Sequence, residues 1–310
     1  MIERNSCCWC GSGKKWKKCH YPTLPKESTP GSSSLSPDIS LEELTSYYRK
    51  NYDIILKNEK QIAGIAAACT LAATILDRLC QEAQEGVTTE DLHLLALKLH
   101  QEAGAIPAPL GYGNPPFPKS ICTSLNEVIC HGIPDLRPLQ KGDILNIDVT
   151  SILQGYYGDC SRMVVIGETS EEKKRVIRAA FDSLYAAIGI LKPGIAIGQI
   201  GETIEHIAKR YGCSVVESFV SHGVGVEFHE GPEIPHYANS LDIPLIPGMT
   251  FTIEPMINAG KKGCLIDPED HWTARTEDGR ASAQFEHTVL ITETGHKILT
   301  ALPEAFPCPV

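Results

Sequence analysis

From about Ser40 onward the chain switches repeatedly between two hydrophobic periods. Apolar residues recur at helical spacing over roughly 41–84, 89–103, 171–191 and 198–211. They form strand-like runs near 143–151, 156–166, 214–220, 250–257 and 284–292. Thr89 and Ser170 stand where N-caps are expected, with acidic residues in the turns that follow. The longest apolar run, IAGIAAACTLAATIL, is Ala-rich and interrupted by Thr70 and Thr74. It falls short of the roughly 18–20 residues a membrane span needs and predicts a packed helix. Two stretches of other character precede the globular region. Residues 1–21 are rich in Cys, Lys and Trp, and residues 22–40 are dominated by Pro and Ser and read as a flexible linker. The expected organisation is a motif at 1–21, a linker at 22–40 and a globular domain at 41–310, whose last residues, PEAFPCPV, form an irregular tail.

The patterning repeats itself weakly. Gly86 and Gly104 bracket one predicted helix, and Gly194 and Gly212 bracket another at the same interval of 18. KGDILNID ends in Asp148 and PGMTFTIE ends in Glu254; each acid follows an Ile and lies six residues after the Gly of a turn. Each has a later acidic partner on a strand, Asp159 in GDCSRMVVIGE and Glu286 in FEHTVLITE. Two αβ halves facing each other would gather four carboxylates; chance similarity between two αβ units is the competing reading.

The chain of 310 residues has an ordinary apolar fraction and a net charge of -10, which argues against a nucleic-acid coat over the whole surface. MIERNSCCWC has early charges and no apolar core of a secretory signal. Of the 12 cysteines, several (Cys69, Cys80, Cys213) are lone residues in apolar segments, which favours a reducing, cytoplasmic setting.

Asp148 and Asp159 raise the chemical question, because ionised carboxylates enter a core only with compensation. A hairpin turning at ILQG (152–155) would pair residues whose numbers sum to 307 and set the two acids opposite each other, on one face. A cation between them would resolve the repulsion; the competing reading has one or both projecting into solvent at a sheet edge. Glu254 and Glu286 lie in apolar strands with no Lys or Arg. His222 and His229 lie in SHGVGVEFHEGP, and His131 in VICHGIPD, each of which also admits a structural reading. Asp148, Asp159, His222, Glu254 and Glu286 make an oxygen-rich set suited to Mn, Fe or Co, and four carboxylates balance two divalent ions better than one.

PAPLGY, FPKSICTSLNEVICHGIPD, GDILNIDVT, YYGDCSR, SHGVGVEFHE, PGMTFTIEPMIN, DHWTARTEDG and SAQFEHTVLIT together resemble type I methionine aminopeptidases from about residue 45 to residue 302. The resemblance implies an α+β fold, the pseudo-symmetric pita-bread arrangement of an antiparallel sheet with flanking helices. It implies that Asp148, Asp159, His222, Glu254 and Glu286 are the ligands of two divalent metal ions, with Asp159 and Glu286 bridging. His131 and His229 become auxiliary histidines that contact the substrate amide, and Glu254 a proton shuttle. Tyr112, Phe117, Cys122, Phe228 and Trp272 resemble the methionine pocket, and Asn126, Val128 and Ser282 a monovalent-cation site. The implied activity is removal of the initiator methionine from nascent polypeptide N-termini, favouring a small second residue, by a monomer that engages neither DNA nor membrane. Two departures touch the pocket: GYGNPPFPKS carries extra residues between Tyr112 and Phe117, and Pro109 stands where some members have a cysteine. The rivals are a proline-specific peptidase of the same fold and a non-catalytic pita-bread binding protein; the 32 residues between Glu254 and Glu286 speak against the type II enzymes, which carry a long insertion there.

In CWCGSGKKWKKCH, Cys8, Cys10, Cys19 and His20 form C-x-C-x8-C-H, a plausible closed zinc site. The pattern resembles the SEC-C motif at the end of the SecA translocation ATPase; a Cys/Lys-rich tail is the alternative. Its lysines with Trp9 and Trp16 suit RNA phosphates and bases, so the arm is expected to associate with the ribosome.

Overall fold

The computed structural model describes residues 40–303 and 307–310. The cysteine cluster (Cys8, Cys10, Cys19, His20) and nearly all of the linker lie outside the described residues. The compact unit Leu44–Val310 contains the whole candidate site.

Five helices are described: α1 (Leu41–Tyr52), α2 (Glu59–Glu82), α3 (Thr89–Glu102), α4 (Glu171–Gly189) and α5 (Gly198–Arg210). The strands of the first half are β1 (Ile106–Pro107), β2 (Cys122–Leu125), β3 (Val128–Cys130), β4 (Ile144–Leu153) and β5 (Tyr156–Val165). Those of the second are β6 (Ser214–Val215), β7 (Val220–Gly223), β8 (Glu230–Pro235), β9 (Thr250–Ile253), β10 (Met256–Asn258), β11 (Cys264–Ile266), β12 (Ala274–Thr276), β13 (Ser282–Gln284), β14 (Glu286–Ile291) and β15 (His296–Ile298). A nine-stranded antiparallel sheet runs in the order β1-β4-β5-β14-β9-β7-β8, with β2 on β4 and β15 on β14. Two three-stranded sheets, β13-β10-β6 and β11-β12-β3, complete the strands.

One face of the large sheet is covered by helices. Leu145, Ile147, Val149 and Cys160 pack against Ala72, Ile75, Leu76 and Leu79 of α2. Phe251, Ile253, Val289 and Ile291 belong to the core shared with α4 and α5. Since side chains alternate along a strand, Asp148, Thr150, Asp159, Thr252 and Glu286 point to the other face. Helix α2 has the length and hydropathy of a membrane span. Its apolar face nevertheless lies on β4 and β5, as the packed-helix reading expects.

The repeat is real and extends to backbone detail. Gly86 and Gly194 have φ of 88° and 86°, Gly104 and Gly212 64° and 63°, and Gly142 and Gly248 92° and 88°. These left-handed turns favour glycine. Matching hydrogen bonds accompany them: Gly86 N–H to Leu139 O and Gly194 N–H to Leu245 O, Leu139 N–H to Val87 O and Leu245 N–H to Ile195 O.

Several sequence expectations need correction. The helical pattern over 41–84 is two helices, because Asp53 takes a left-handed φ of 58° and Asn58 caps α2 in a capping box with Gln61. Thr88, not Thr89, caps α3; its hydroxyl accepts the Asp91 N–H at 3.0 Å, while Thr89 Oγ1 donates to Asp135 O. Ser170 caps α4 as expected. The run 250–257 breaks at Pro255, and 284–292 breaks at Phe285, so each becomes two strands in different sheets. The hairpin turns at Gln154-Gly155, both left-handed, rather than at Leu153-Gln154. A two-residue turn of this type wants Gly in its second place. Paired numbers therefore sum to 309: Asp148 faces Ser161, and Asp159 faces Thr150. The shift by two keeps both acids on one face but makes them diagonal neighbours.

Gly158 marks the closest approach of β5 to α2: a Cβ there would lie 2.2 Å from the Cys69 nitrogen. Gly158→Ala is expected to destabilise the fold by about 3 kcal/mol, as overpacking against backbone does. Gly189→Ala, with nothing within 4 Å, should leave the melting temperature unchanged or slightly raised. Thermal unfolding of the two variants checks the contrast.

Candidate metal centre and substrate cleft

Five strands deliver the candidate ligands to one point on the open face. Asp148 lies on β4 opposite Ser161 of β5, and Ser161 also faces Glu286 of β14. Asp159 is beside them on β5. Glu254 follows Ile253, the partner of His287, at the end of β9. His222 comes from β7, where its N–H donates to Thr252 Oγ1 at 3.1 Å. The ligand atoms of Asp159, His222 and Glu286 lie within 4.8 Å of one another. His222 Nε2 stands 3.5 Å from Glu254 Oε1 and 3.8 Å from Asp159 Oδ2. The competing sequence reading, acids at a solvated sheet edge, is therefore excluded for the site as a whole.

The acids are held by polar neighbours that offer no positive charge. Thr150 Oγ1 donates to Asp159 Oδ1 at 2.7 Å, Thr252 Oγ1 to Glu254 Oε1 at 2.7 Å, and Gln284 Nε2 to Glu254 Oε2 at 3.2 Å. Burial, followed by the neighbouring carboxylates, pushes Asp148, Glu254 and Glu286 well above the usual carboxylate range, and burial raises Asp159 to about 7. His222 cannot neutralise them, because burial lowers it to about 3. Its Nδ1 donates to Gly223 O at 3.0 Å, leaving the Nε2 lone pair aimed at the acids. A backbone carbonyl fixing the far nitrogen is the usual support of a metal-binding imidazole. The residues thus fit a pair of divalent cations by charge, donor type and tautomer. Two thiols lie close by without joining the set: burial holds Cys122, opposite Asp148, and Cys160 well above the ordinary thiol range. The eight cysteines of the described residues are all unpaired.

The acids floor a cleft of about 780 Å³. The expected metal ligands, auxiliary histidines and pocket residues all line it: Asp148, Asp159, His222, Glu254 and Glu286, the histidines His131 and His229, and Tyr112, Phe117, Cys122, Phe228 and Trp272. Burial lowers His131 and His229 to about 4, so both are neutral near pH 7. The Tyr112 hydroxyl lies 2.8 Å from His229 Nδ1; donating there, it leaves the His229 proton on Nε2. The extra residues after Tyr112 build a wall. Trp272 Nε1 donates to Pro115 O at 3.0 Å, Phe117 meets the Trp272 ring edge-on at 5.3 Å, and a Cβ on Gly113 would strike that ring. Pro109 also lines the cleft.

Asn126, Val128 and Ser282 stand outside the acid cluster. The Ser282 N–H donates to Asn126 O at 2.9 Å, and the Lys173 ammonium donates to Asn126 Oδ1 and to Gly142 O, each at 2.7 Å. Sequence reasoning missed the hydroxyls and amide that hold the acids. Their signal was present: a Thr stands two residues from an acid in Asp148–Thr150, Thr252–Glu254 and Glu286–Thr288, which places both on one strand face.

Fold and site define a metallopeptidase of the pita-bread class, and the profile of metallopeptidase family M24 matches residues 63–293. The SEC-C motif profile matches residues 4–22. The methionine aminopeptidase of Chlamydia muridarum is 59% identical over 301 residues, covering 97% of this chain and 99% of that protein. The crystal structure of methionine aminopeptidase from Rickettsia prowazekii aligns with a TM-score of 0.78 at 44% identity, over 80% of this chain and 100% of that one. The prolidase of Pyrococcus horikoshii aligns less closely, with a TM-score of 0.64 at 25% identity over 80% of this chain and 64% of that one. The chain therefore belongs to family M24, among the methionine aminopeptidases.

A carboxyl with a raised folded pKa binds more protons folded than unfolded. The metal-free protein should accordingly lose stability as pH rises from the unfolded Asp value of 3.8 through the folded value of about 7 for Asp159. A divalent cation relieves that penalty and competes with protons. The rise in melting temperature on adding Mn²⁺ is expected to be larger at about pH 8 than at about pH 5.5. Differential scanning fluorimetry of metal-stripped protein at both pH values measures it.

Proposed function

We propose that Asp148, Asp159, His222, Glu254 and Glu286 would hold two divalent ions in an aminopeptidase that removes the initiator methionine from nascent protein N-termini. The observation that carries this is the meeting of four carboxylates from both halves of the fold, with a neutral imidazole and no Lys or Arg among their ion-pair partners. The oxygen-rich set suits Mn, Fe or Co. When bound, the ions supply Lewis-acid activation of the scissile carbonyl and of water.

The remaining chemistry belongs to the protein. Phe117, Cys122, Phe228 and Trp272, with Tyr112 at the rim, receive the methionine side chain, and burial of a thioether gives selectivity of a few kcal/mol. His131 and His229, both neutral, direct N–H donors at the amide as charge develops on its oxygen. Glu254 takes a proton from the attacking water on a carboxylate oxygen and delivers it to the departing amine. The second substrate residue is small.

The rest of the reading concerns the setting. Cys8, Cys10, Cys19 and His20 bind one structural zinc, and the basic, Trp-bearing arm associates with ribosomes. The enzyme works as a monomer in the cytoplasm. A monovalent cation sits near Asn126, Val128 and Ser282, using oxygens other than the Asn126 Oδ1 that Lys173 already engages.

Release of methionine from a Met-Ala-Ser peptide with added Mn²⁺ or Co²⁺, together with metal analysis of protein purified without added metal, tests the centre. Asp148→Asn is expected to abolish release and reduce bound metal. His131→Ala and His229→Ala should each lower kcat by about 10²–10³-fold while metal content is kept. No release with any divalent metal would revive the non-catalytic reading. Deletion of residues 1–40 should remove co-sedimentation with ribosomes and spare peptide hydrolysis; unchanged co-sedimentation removes the arm from that role.

A further inference from the structure

We propose that the buried Lys57–Glu230 ion pair is a positioning device for His229, fixing one wall of the cleft from the connection between α1 and α2; the inference rests on the role given to His229 above. Lys57 and Glu230 pair with side chains each 1% exposed. Glu230 is the residue directly after His229, opens β8 and lines the cleft. The His229 ring is exposed to the cleft and is engaged from the opposite wall by Tyr112. Its backbone is therefore anchored through Glu230.

The connecting segment grips this wall at more than one point. Ile54 bridges to Gly231, and Gly231 packs so tightly on the segment that a Cβ would lie 2.7 Å from Asp53 O. The Lys57 N–H donates to Gly248 O at 2.9 Å, at the turn that leads through β9 to Glu254. One lysine thus ties the strand that begins directly after His229, by its side chain, to the turn that begins the strand leading to Glu254, by its backbone. Packing alone would be served as well by apolar side chains, because desolvation of two charges offsets most of their attraction. What the charged pair adds is a specific anchor, since the ion pair holds the carboxylate of the residue adjoining His229 at the Lys57 ammonium and leaves a buried charge unpaired if it moves.

The test is a double-mutant cycle on kcat for Met-Ala-Ser hydrolysis by the full-length, Mn²⁺-loaded enzyme. Lys57→Met combined with Glu230→Met removes both charges at similar volume and is expected to fold. It should lower kcat on the order of 10–100-fold with a smaller change in KM. In a His229→Ala background the same change should cost no more than about twofold, because the element it positions is gone. Lys57→Arg, which keeps the charge, should recover most of the activity that Lys57→Met loses. If the double variant does not fold, Glu230→Gln is read in the same cycle. Equal losses in both backgrounds, or a double variant within about twofold of the parent, overturn the positioning role. A parent enzyme that releases no methionine sinks the functional reading instead, and a fully active His229→Ala variant sinks the role of His229 and this inference with it.

Discussion

Four carboxylates repel one another at the centre of this molecule, and most of the fold can be read as the means of holding them there. Their polar neighbours position them without cancelling their charge, and the one imidazole among them is neutral. Buried charges so arranged call for compensation, by protons at low pH or by cations. Rigid support is the condition for the arrangement. Helix α2 clamps β4 and β5 from behind, with Gly158 set against its backbone. The cores of α4 and α5 do the same for β9 and β14.

The pseudo-symmetry explains how a single sheet gathers so many ligands. Each half contributes a glycine turn, an acid six residues after it (Asp148 within β4, Glu254 just after β9) and a helix pair on the covered face. The agreement extends to the φ values of paired glycines. Each half alone carries two carboxylates, and the full ligand set exists only where the halves adjoin. The connections then differ: the second half brings His222 on β7, Phe228 and His229 just before β8, and Trp272, whereas the first brings Tyr112 and Phe117, Cys122 on β2 and His131 just after β3. Symmetry thus sets the centre, and the asymmetric connections line the cleft with histidines packed against aromatic rings.

Much of this was legible in the sequence for a physical reason. An acid inside a β-branched, apolar run is conspicuous, and Asp148, Asp159, Glu254 and Glu286 all stand in such runs. Alternation made their shared face robust even though the hairpin register was displaced by two residues. The register itself was illegible without knowing which residues would take left-handed backbone, and Gln154 gives no strong signal of that. The short strands β1, β3, β6 and β11 are two or three residues long and carry no period to detect. The break between α1 and α2 was hidden because apolar residues continue through Ile54, Ile55 and Leu56. Lys57, in LKNEK, has no local signal of burial; its partner Glu230 lies far along the chain.

The thiols beside the acids have a consequence for the element preference of the centre. Cys122 faces Asp148 across β2 and β4 and lines the same cleft as the acids. Burial holds its thiol above the ordinary range, which makes sulfur a poor donor there and leaves the carboxylates and His222 as the candidate ligands. The same burial blunts its nucleophilicity, so alkylating or oxidising agents that enter the cleft meet a sluggish sulfhydryl. A soft atom is thereby tolerated beside a hard-ion site, with desolvation acting as its chemical insulation.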